Sequence, residues 1–178
     1  MHPARLLTTR LKKHKTNQGF TLIEMLVAIG ILGVLAAIAA MAYNNYREKA
    51  KLGVIATDLR TFGISFEGYR SFNGCYPPDS HNDAPYNLKP GYGTEDYLPI
   101  GAWINPPSWG GFYNWEGPDI YTYAGISLFG TSASNSTMLR LDKIMDDGSL
   151  STGNFQQTPN NRYTYIVNAN TTAADACP

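Results

Sequence analysis

From Met25 to Tyr43 the chain runs for 19 residues without a charge or a proline, M-L-V-A-I-G-I-L-G-V-L-A-A-I-A-A-M-A-Y. At ~1.5 Å per residue a helix over this run approaches the ~30 Å thickness of a bilayer core, which predicts one membrane-spanning helix. Residues 1–19 carry Arg5, Arg10, Lys12, Lys13 and Lys15 with no acid, a formal +5, whereas the rest of the chain carries 9 basic and 14 acidic side chains, a formal −5. A basic head before an apolar run is the layout of a membrane-targeting segment. The positive-inside rule keeps the N-terminus in the cytoplasm and sends everything after Tyr46 across the membrane. The acidic remainder argues against nucleic acid as a partner, because phosphate contacts need clustered Lys or Arg. Charged residues make up 16% of the 178-residue chain and hydrophobic ones 43%, which excludes both a disordered chain and a multi-span membrane protein. Two cysteines exclude a disulfide-scaffold miniprotein and a four-thiolate zinc site.

Glu24 interrupts the apolar stretch near its start, between Ile23 and Met25. A carboxylate at a membrane centre costs about 2.5–3.5 kcal/mol on insertion scales, so such a group usually has a partner and a role. It also suits the first turn of a helix at headgroup depth, where the helix dipole favours negative charge. The surrounding string Gly19-Phe20-Thr21-Leu22-Ile23-Glu24, set between basic head and apolar helix, resembles the class III signal of type IV pilins and type II secretion pseudopilins.

That resemblance implies a prepilin peptidase that cuts after Gly19 and N-methylates the new terminal residue, Phe20. Glycine before the scissile bond lets the peptidase approach the backbone without meeting a Cβ. Cleavage on the cytoplasmic side leaves the apolar helix in the mature protein, unlike removal of an ordinary secretory signal. The retained helix then serves polymerisation, with Phe20 and Glu24 as the assembly residues: the new ammonium of one subunit pairs with the carboxylate of the next, rewarding the correct axial register. The resemblance thus divides the chain into a cleaved basic leader (1–19), a transmembrane and filament-core helix (20–46) and an extracytoplasmic pilin-like domain (47–178). Its partners would be further copies of the chain, related pseudopilins, the prepilin peptidase and an inner-membrane assembly platform. A competing reading takes Ala37-Ile-Ala39 or Ala40-Met-Ala42 as an ordinary signal-peptidase site, releasing a soluble domain.

Beyond Tyr46 the apolar residues become one-sided. Leu52, Ile55, Leu59, Phe62, Phe66 and Tyr69 recur at spacings of three and four, with Lys51, Asp58, Arg60, Glu67 and Arg70 off the stripe. The helix therefore continues with one buried face until Asn73-Gly74 and Pro77-Pro78 stop it. Gly53, Gly63 and Gly68 each weaken it by about 1 kcal/mol relative to Ala, which predicts support from a sheet. Tyr69 to Pro78 resembles the helix-to-loop junction of major pseudopilins, and Pro106 to Trp115 resembles their P-W-G turn, with Ser108 inserted before Trp109. Gly111–Trp115, Ile120–Ala124 and Arg162–Val167 read as strands, while residues 79–110 read as a long irregular connection. Met138, Leu141, Ile144 and Met145 suggest a short helix capped near Ser134–Ser136 and ended by Gly148. The fold class expected is α+β and pilin-like, a long N-terminal helix laid on a small antiparallel sheet.

Cys75 and Cys177 would both be exported to a compartment where disulfides persist, and a bond between them is expected. Catalysis is not: beyond Gly19 the only histidine is His81, in the polar string Asp79-Ser-His-Asn-Asp83, where sequence neighbours do not easily adopt triad geometry. No cofactor is expected. Calcium is the metal the resemblance brings up, in a loop after the P-W-G turn, but Ser127–Ser136 carries no carboxylate. Asp142, Asp146 and Asp147 follow later without EF-hand spacing and read as solvated acids at a helix end. Trp103, Trp109 and Trp115 read as plugs of a small core rather than an exposed platform. Asn135-Ser-Thr and Asn170-Thr-Thr fit the weak glycosylation pattern.

The sequence therefore reads as a filament subunit of a type II secretion pseudopilus that promotes protein export. The alternatives are a type IV pilin for adhesion, motility or DNA uptake, and a membrane-anchored extracellular binding module that never polymerises. A proline found in many relatives within the apolar helix is replaced here by Met41 or its neighbours. N-terminal sequencing of mature protein is expected to begin at Phe20; a start near Ala40 or Tyr43 would identify an ordinary secretory signal instead.

Overall fold

The structure, a computed structural model, describes residues 19–79, 92–105, 107 and 109–178. It falls into two compact units that divide between Asn44 and Asn45. One helix, α1 (Leu22–Asn73), contributes to both.

In the first unit the apolar side chains of α1 are exposed all round, with Leu22, Ile29, Leu32, Val34 and Met41 each more than half accessible. This is the described helix that is long and apolar enough to cross a membrane. A helix that is hydrophobic on every side needs lipid or other apolar helices around it.

In the second unit α1 buries one stripe. Leu52, Ile55, Ala56, Leu59, Phe62, Phe66 and Tyr69 are all at most 2% accessible, as the three-and-four spacing requires. They pack on a four-stranded antiparallel sheet of β1 (Phe112–Glu116), β2 (Ala124–Phe129), β3 (Phe155–Thr158) and β4 (Arg162–Asn168), in the order β1-β2-β4-β3. Successive strand residues face opposite ways. The register pairs Tyr113 with Leu128, Trp115 with Ile126, Ile126 with Tyr165 and Leu128 with Tyr163, so these side chains share the face toward α1.

The seam between helix and sheet is aromatic. Phe66 stacks on Trp115 with ring centroids 3.7 Å apart, while Phe62 meets Trp103 and Tyr113 edge-on at 5.0 and 4.9 Å. Gly63 is the one glycine whose smallness the seam uses: a Cβ there would sit 3.0 Å from Tyr165 Cε1. Its low helix propensity is thus exchanged for close approach of α1 to β4. At the end of the helix Gly74 adopts φ 78° and donates its amide to the Arg70 carbonyl at 2.8 Å, a left-handed stop that favours glycine.

Three expectations shift. The connection read as irregular contains a single 3₁₀ turn at Thr94–Asp96 and a short helix, α2 (Ile100–Ile104), which delivers Trp103 to the core; residues 80–91 lie outside the described part. The strand read at Ile120–Ala124 begins only at Ala124. Before it, Tyr121 and Tyr123 stack at 5.2 Å, and Tyr121 accepts a hydrogen bond from Arg162 on the sheet face opposite α1. Their β-propensity is overridden by the need to cover that face. Finally, β3 was not expected; it forms a hairpin with β4 through Asn160 and Asn161, both at positive φ.

The third helix, α3 (Asn135–Met145), starts at the N-cap Ser134, whose hydroxyl accepts from the Thr137 amide at 3.3 Å. Trp103 and Trp115 are core residues, whereas Trp109 is half-buried with Lys51 Nζ 5.8 Å from its ring centroid. Phe62→Ala is expected to cost about 3–5 kcal/mol in urea unfolding of the detergent-solubilised chain. Ile64→Ala, at a neighbouring exposed position, should stay within about 0.5 kcal/mol.

Candidate functional site

Gly19 and Phe20 precede α1, both exposed and outside any helix or strand, and a Cβ at Gly19 would meet nothing within 4 Å. The first turn of α1 is closed by Thr21 and Glu24. The Thr21 amide and hydroxyl both donate to Glu24 Oε2 at 2.8 Å, and the Glu24 amide donates back to Thr21 Oγ1 at 3.3 Å. This is a reciprocal capping box, which satisfies orphan amides at a helix start. The carboxylate therefore has a partner within its own chain, and none of these bonds uses Oε1. Thr21 was not singled out from the sequence, although its signal, a threonine three residues before a glutamate at the edge of an apolar run, was there to read.

At the other end of α1, Cys75 and Cys177 are joined in a disulfide across 102 residues. The strand-like contact around it holds the same segments: the Tyr76 amide donates to the Asp175 carbonyl at 2.8 Å and the Cys177 amide to the Tyr76 carbonyl at 2.7 Å. Asp175 also caps the final 3₁₀ turn (Ala173–Asp175) through Thr172, which holds its carboxyl below the usual range, with Arg70 adding a little. Arg70 lies 3.8 Å away and both side chains are about a third exposed, so this ion pair itself contributes little. His81 and its neighbours Ser80, Asn82 and Asp83 lie outside the described residues.

A third cluster sits where α3 ends. Asp142, Asp146 and Asp147 each place a carboxylate oxygen within 4.8 Å of the others. They are not the uniformly solvated acids expected from the sequence: Asp142 is fully buried and neither of its oxygens accepts a well-formed hydrogen bond. Burial pushes its carboxyl up, Asp147 and Asp146 push it further, and the nearby amides of Ser149 and Gly148 oppose the shift. The exposed pair is held by the following loop. Asp147 accepts from the Ser149 amide at 2.8 Å and the Thr152 hydroxyl at 2.6 Å, and Asp146 Oδ2 from the amides of Asn154 and Phe155. An all-oxygen donor set of three clustered carboxylates is of the kind that suits a hard divalent cation. It lies outside Ser127–Ser136, where the pseudopilin resemblance would put calcium.

Two comparisons bear on these sites. Residues 14–40 match the prokaryotic N-terminal methylation motif, which spans Gly19, Phe20 and Glu24. Over 106 residues the chain is 30% identical to the type II secretion system core protein G of Pseudomonas aeruginosa, an alignment covering 53% of this chain and 73% of that protein. No solved structure matches the chain. Replacing both cysteines, Cys75→Ser with Cys177→Ser, should lower unfolding free energy by up to about 4.7 kcal/mol, the loop-closure figure for ~100 residues. The comparison to make is urea midpoints of this double variant and of the oxidised protein.

Proposed function

The chain belongs to the family of type II secretion system core protein G, the pseudopilins, and from that premise we propose that it is a filament subunit of a secretion pseudopilus. It has no catalytic step of its own in this reading. Its work is mechanical: insertion in the inner membrane with the N-terminus cytoplasmic, trimming after Gly19, N-methylation of Phe20, and extraction into a bundle of apolar helices.

The observation that carries the reading is the N-terminal half of α1, apolar and exposed on every side, with the Thr21–Glu24 capping box in its first turn beside Phe20. An isolated chain leaves this surface uncovered, and a bilayer or a bundle of like helices covers it. In the bundle, the Phe20 amine freed by cleavage meets the Glu24 carboxylate of a neighbour. Thr21 holds that carboxylate at the helix start, so the acceptor is already ordered when the neighbour arrives. A subunit out of register leaves both charges unpaired in an apolar environment, which costs several kcal/mol.

A second reading is a type IV pilin, a family in which a disulfide near the C-terminus is common, although the 102-residue separation of Cys75 and Cys177 departs from the usual short loop. Both readings share the polymerising helix. They separate by phenotype, since loss of the chain stops protein export in one case and removes surface fibres in the other.

Glu24→Ala is expected to leave the protein stably inserted in the membrane while abolishing filaments in shear fractions and electron micrographs. Filaments at wild-type abundance from that variant would overturn the role of Glu24 in assembly, whereas a wild-type chain that is stably inserted yet never enters filaments would favour a membrane-anchored binding module.

A further inference from the structure

We propose that Arg47, Lys49 and Lys51, together with the indole of Trp109, bind anionic phospholipid headgroups where α1 leaves the bilayer. The inference takes the first half of α1 as the membrane span, and its test depends on neither leader cleavage nor filament assembly.

Charge is unevenly placed in the second unit. Residues 52–178 hold 6 basic and 12 acidic side chains, a formal −6, whereas Arg47, Lys49 and Lys51 stand within five residues just after the apolar run. The positive-inside rule disfavours cations at that place on the far side of the membrane, so their presence there calls for a counter-charge. Glu48 does not supply it. Arg140 of α3 takes that carboxylate, donating through both terminal nitrogens at 2.9 and 2.6 Å. Among the described residues no acid pairs with Arg47 or Lys49, and both side chains are exposed.

Helix geometry aims these cations at the headgroups. Arg47 and Lys51, four residues apart, share one side of α1 and Lys49 lies on another, so the charges ring the helix. At ~1.5 Å per residue they fall about 6–12 Å beyond Tyr43. Helical Cβ atoms tilt toward the N-terminus, so the long stems lean back toward the headgroup layer.

Trp109 is a second and independent feature. Its turn is fixed by the Gly110 amide, which donates to the Pro107 carbonyl at 2.8 Å, and by Ser132, whose amide and hydroxyl both donate to the Trp109 carbonyl at 3.0 and 2.6 Å. Trp103 and Trp115 are wholly buried, but the Trp109 indole is only half-buried and lies beside Lys51. An indole next to an ammonium is the pairing of a membrane interface, where the ring lies at headgroup level and the cation meets phosphate. Tyr46, also exposed, adds a further ring just before Arg47. The surplus of positive charge selects anionic over zwitterionic lipid. An anionic surface would otherwise repel a domain of formal −6, and the basic collar within a Debye length of the headgroups reverses that sign locally.

The test uses the full chain, one copy per lipid nanodisc with a tryptophan-free belt protein, in phosphatidylcholine alone or mixed equally with phosphatidylglycerol. Acrylamide quenching reads Trp109, because the other two indoles are buried, and Trp109→Phe should remove the quenchable signal. With phosphatidylglycerol the quenching constant should fall by about threefold or more, and about 1 M NaCl, where the Debye length is ~3 Å, should restore it. Each Lys or Arg near an anionic surface strengthens attachment about fivefold, so the triple variant Arg47→Gln, Lys49→Gln, Lys51→Gln should quench alike in both lipids. Lys49→Arg with Lys51→Arg keeps the charge and should keep the protection, which separates lost charge from lost packing. The proposal is overturned if the wild type quenches equally in the two lipids, if the triple variant stays protected, or if protection appears only with several copies per disc. That last result would assign the cations to a neighbouring chain. None of these outcomes bears on the role of Glu24 in filaments.

Discussion

The stacking of Phe66 on Trp115, with Phe62 wedged between Trp103 and Tyr113, is the contact around which the second unit is organised. These rings come from α1 and from α2 and β1, which are close to each other in sequence but well beyond the end of α1. Aromatic pairs of this kind contribute about 0.5–1.5 kcal/mol each beyond the area they bury. Position matters as much as energy. The seam requires α1 to lie close to β4, which is why a glycine stands at 63, where Tyr165 and Val167 fill the space of a side chain. A small sheet of short strands would be marginal alone, and one long helix with a single apolar stripe is what completes its core.

The same helix obeys the opposite rule in its first half. From Leu22 to Tyr43 none of the described residues covers the apolar side chains, and the Thr21–Glu24 capping box supplies a polar end to an otherwise greasy rod. Continuity of α1 therefore joins a segment that must find apolar surroundings to a domain that has already found its own. The Cys75–Cys177 bond fixes the far end of the helix to the last described segment, so the tether between the two kinds of surface is held against unravelling at the point where the helix stops.

How much of this was legible follows from which signals are periodic. The stripe from Leu52 to Tyr69 and the apolar run were readable because helical spacing and length are physical constraints that tertiary context did not override. The strand at Arg162 was found from its alternating aromatic and β-branched residues. By contrast, Phe-Gln-Gln-Thr at 155–158 is a polar edge strand whose only sign is the Asn-Asn turn after it. Tyr121 and Tyr123 carried a strand-like composition but serve as a cover. Asp142 was misjudged for a reason that the helix itself states. It falls four residues after Met138 and beside Leu141, on the buried side of α3, so the period that identified the apolar stripe also placed a carboxylate within it.

The face of the sheet turned away from α1 shows what such buried polar groups achieve. Asn114, Glu116, Ser127 and Thr164 line it, all buried, and Glu116 receives Asn114 at 2.8 Å, Ser127 at 2.5 Å and Arg162 at 2.7 Å. A buried ion pair of this sort adds little net stability, because desolvation offsets most of the attraction. Its effect is on register. Side chains alternate along a strand, so a slip of β1 by one residue would turn Glu116 and Asn114 toward Phe62 and Phe66 and place Trp115 and Tyr113 on the opposite, polar face. That alternative would leave a carboxylate among aromatic rings and an arginine without its partner. The polar network thus excludes the competing pairing, and by doing so keeps Trp115 where α1 needs it.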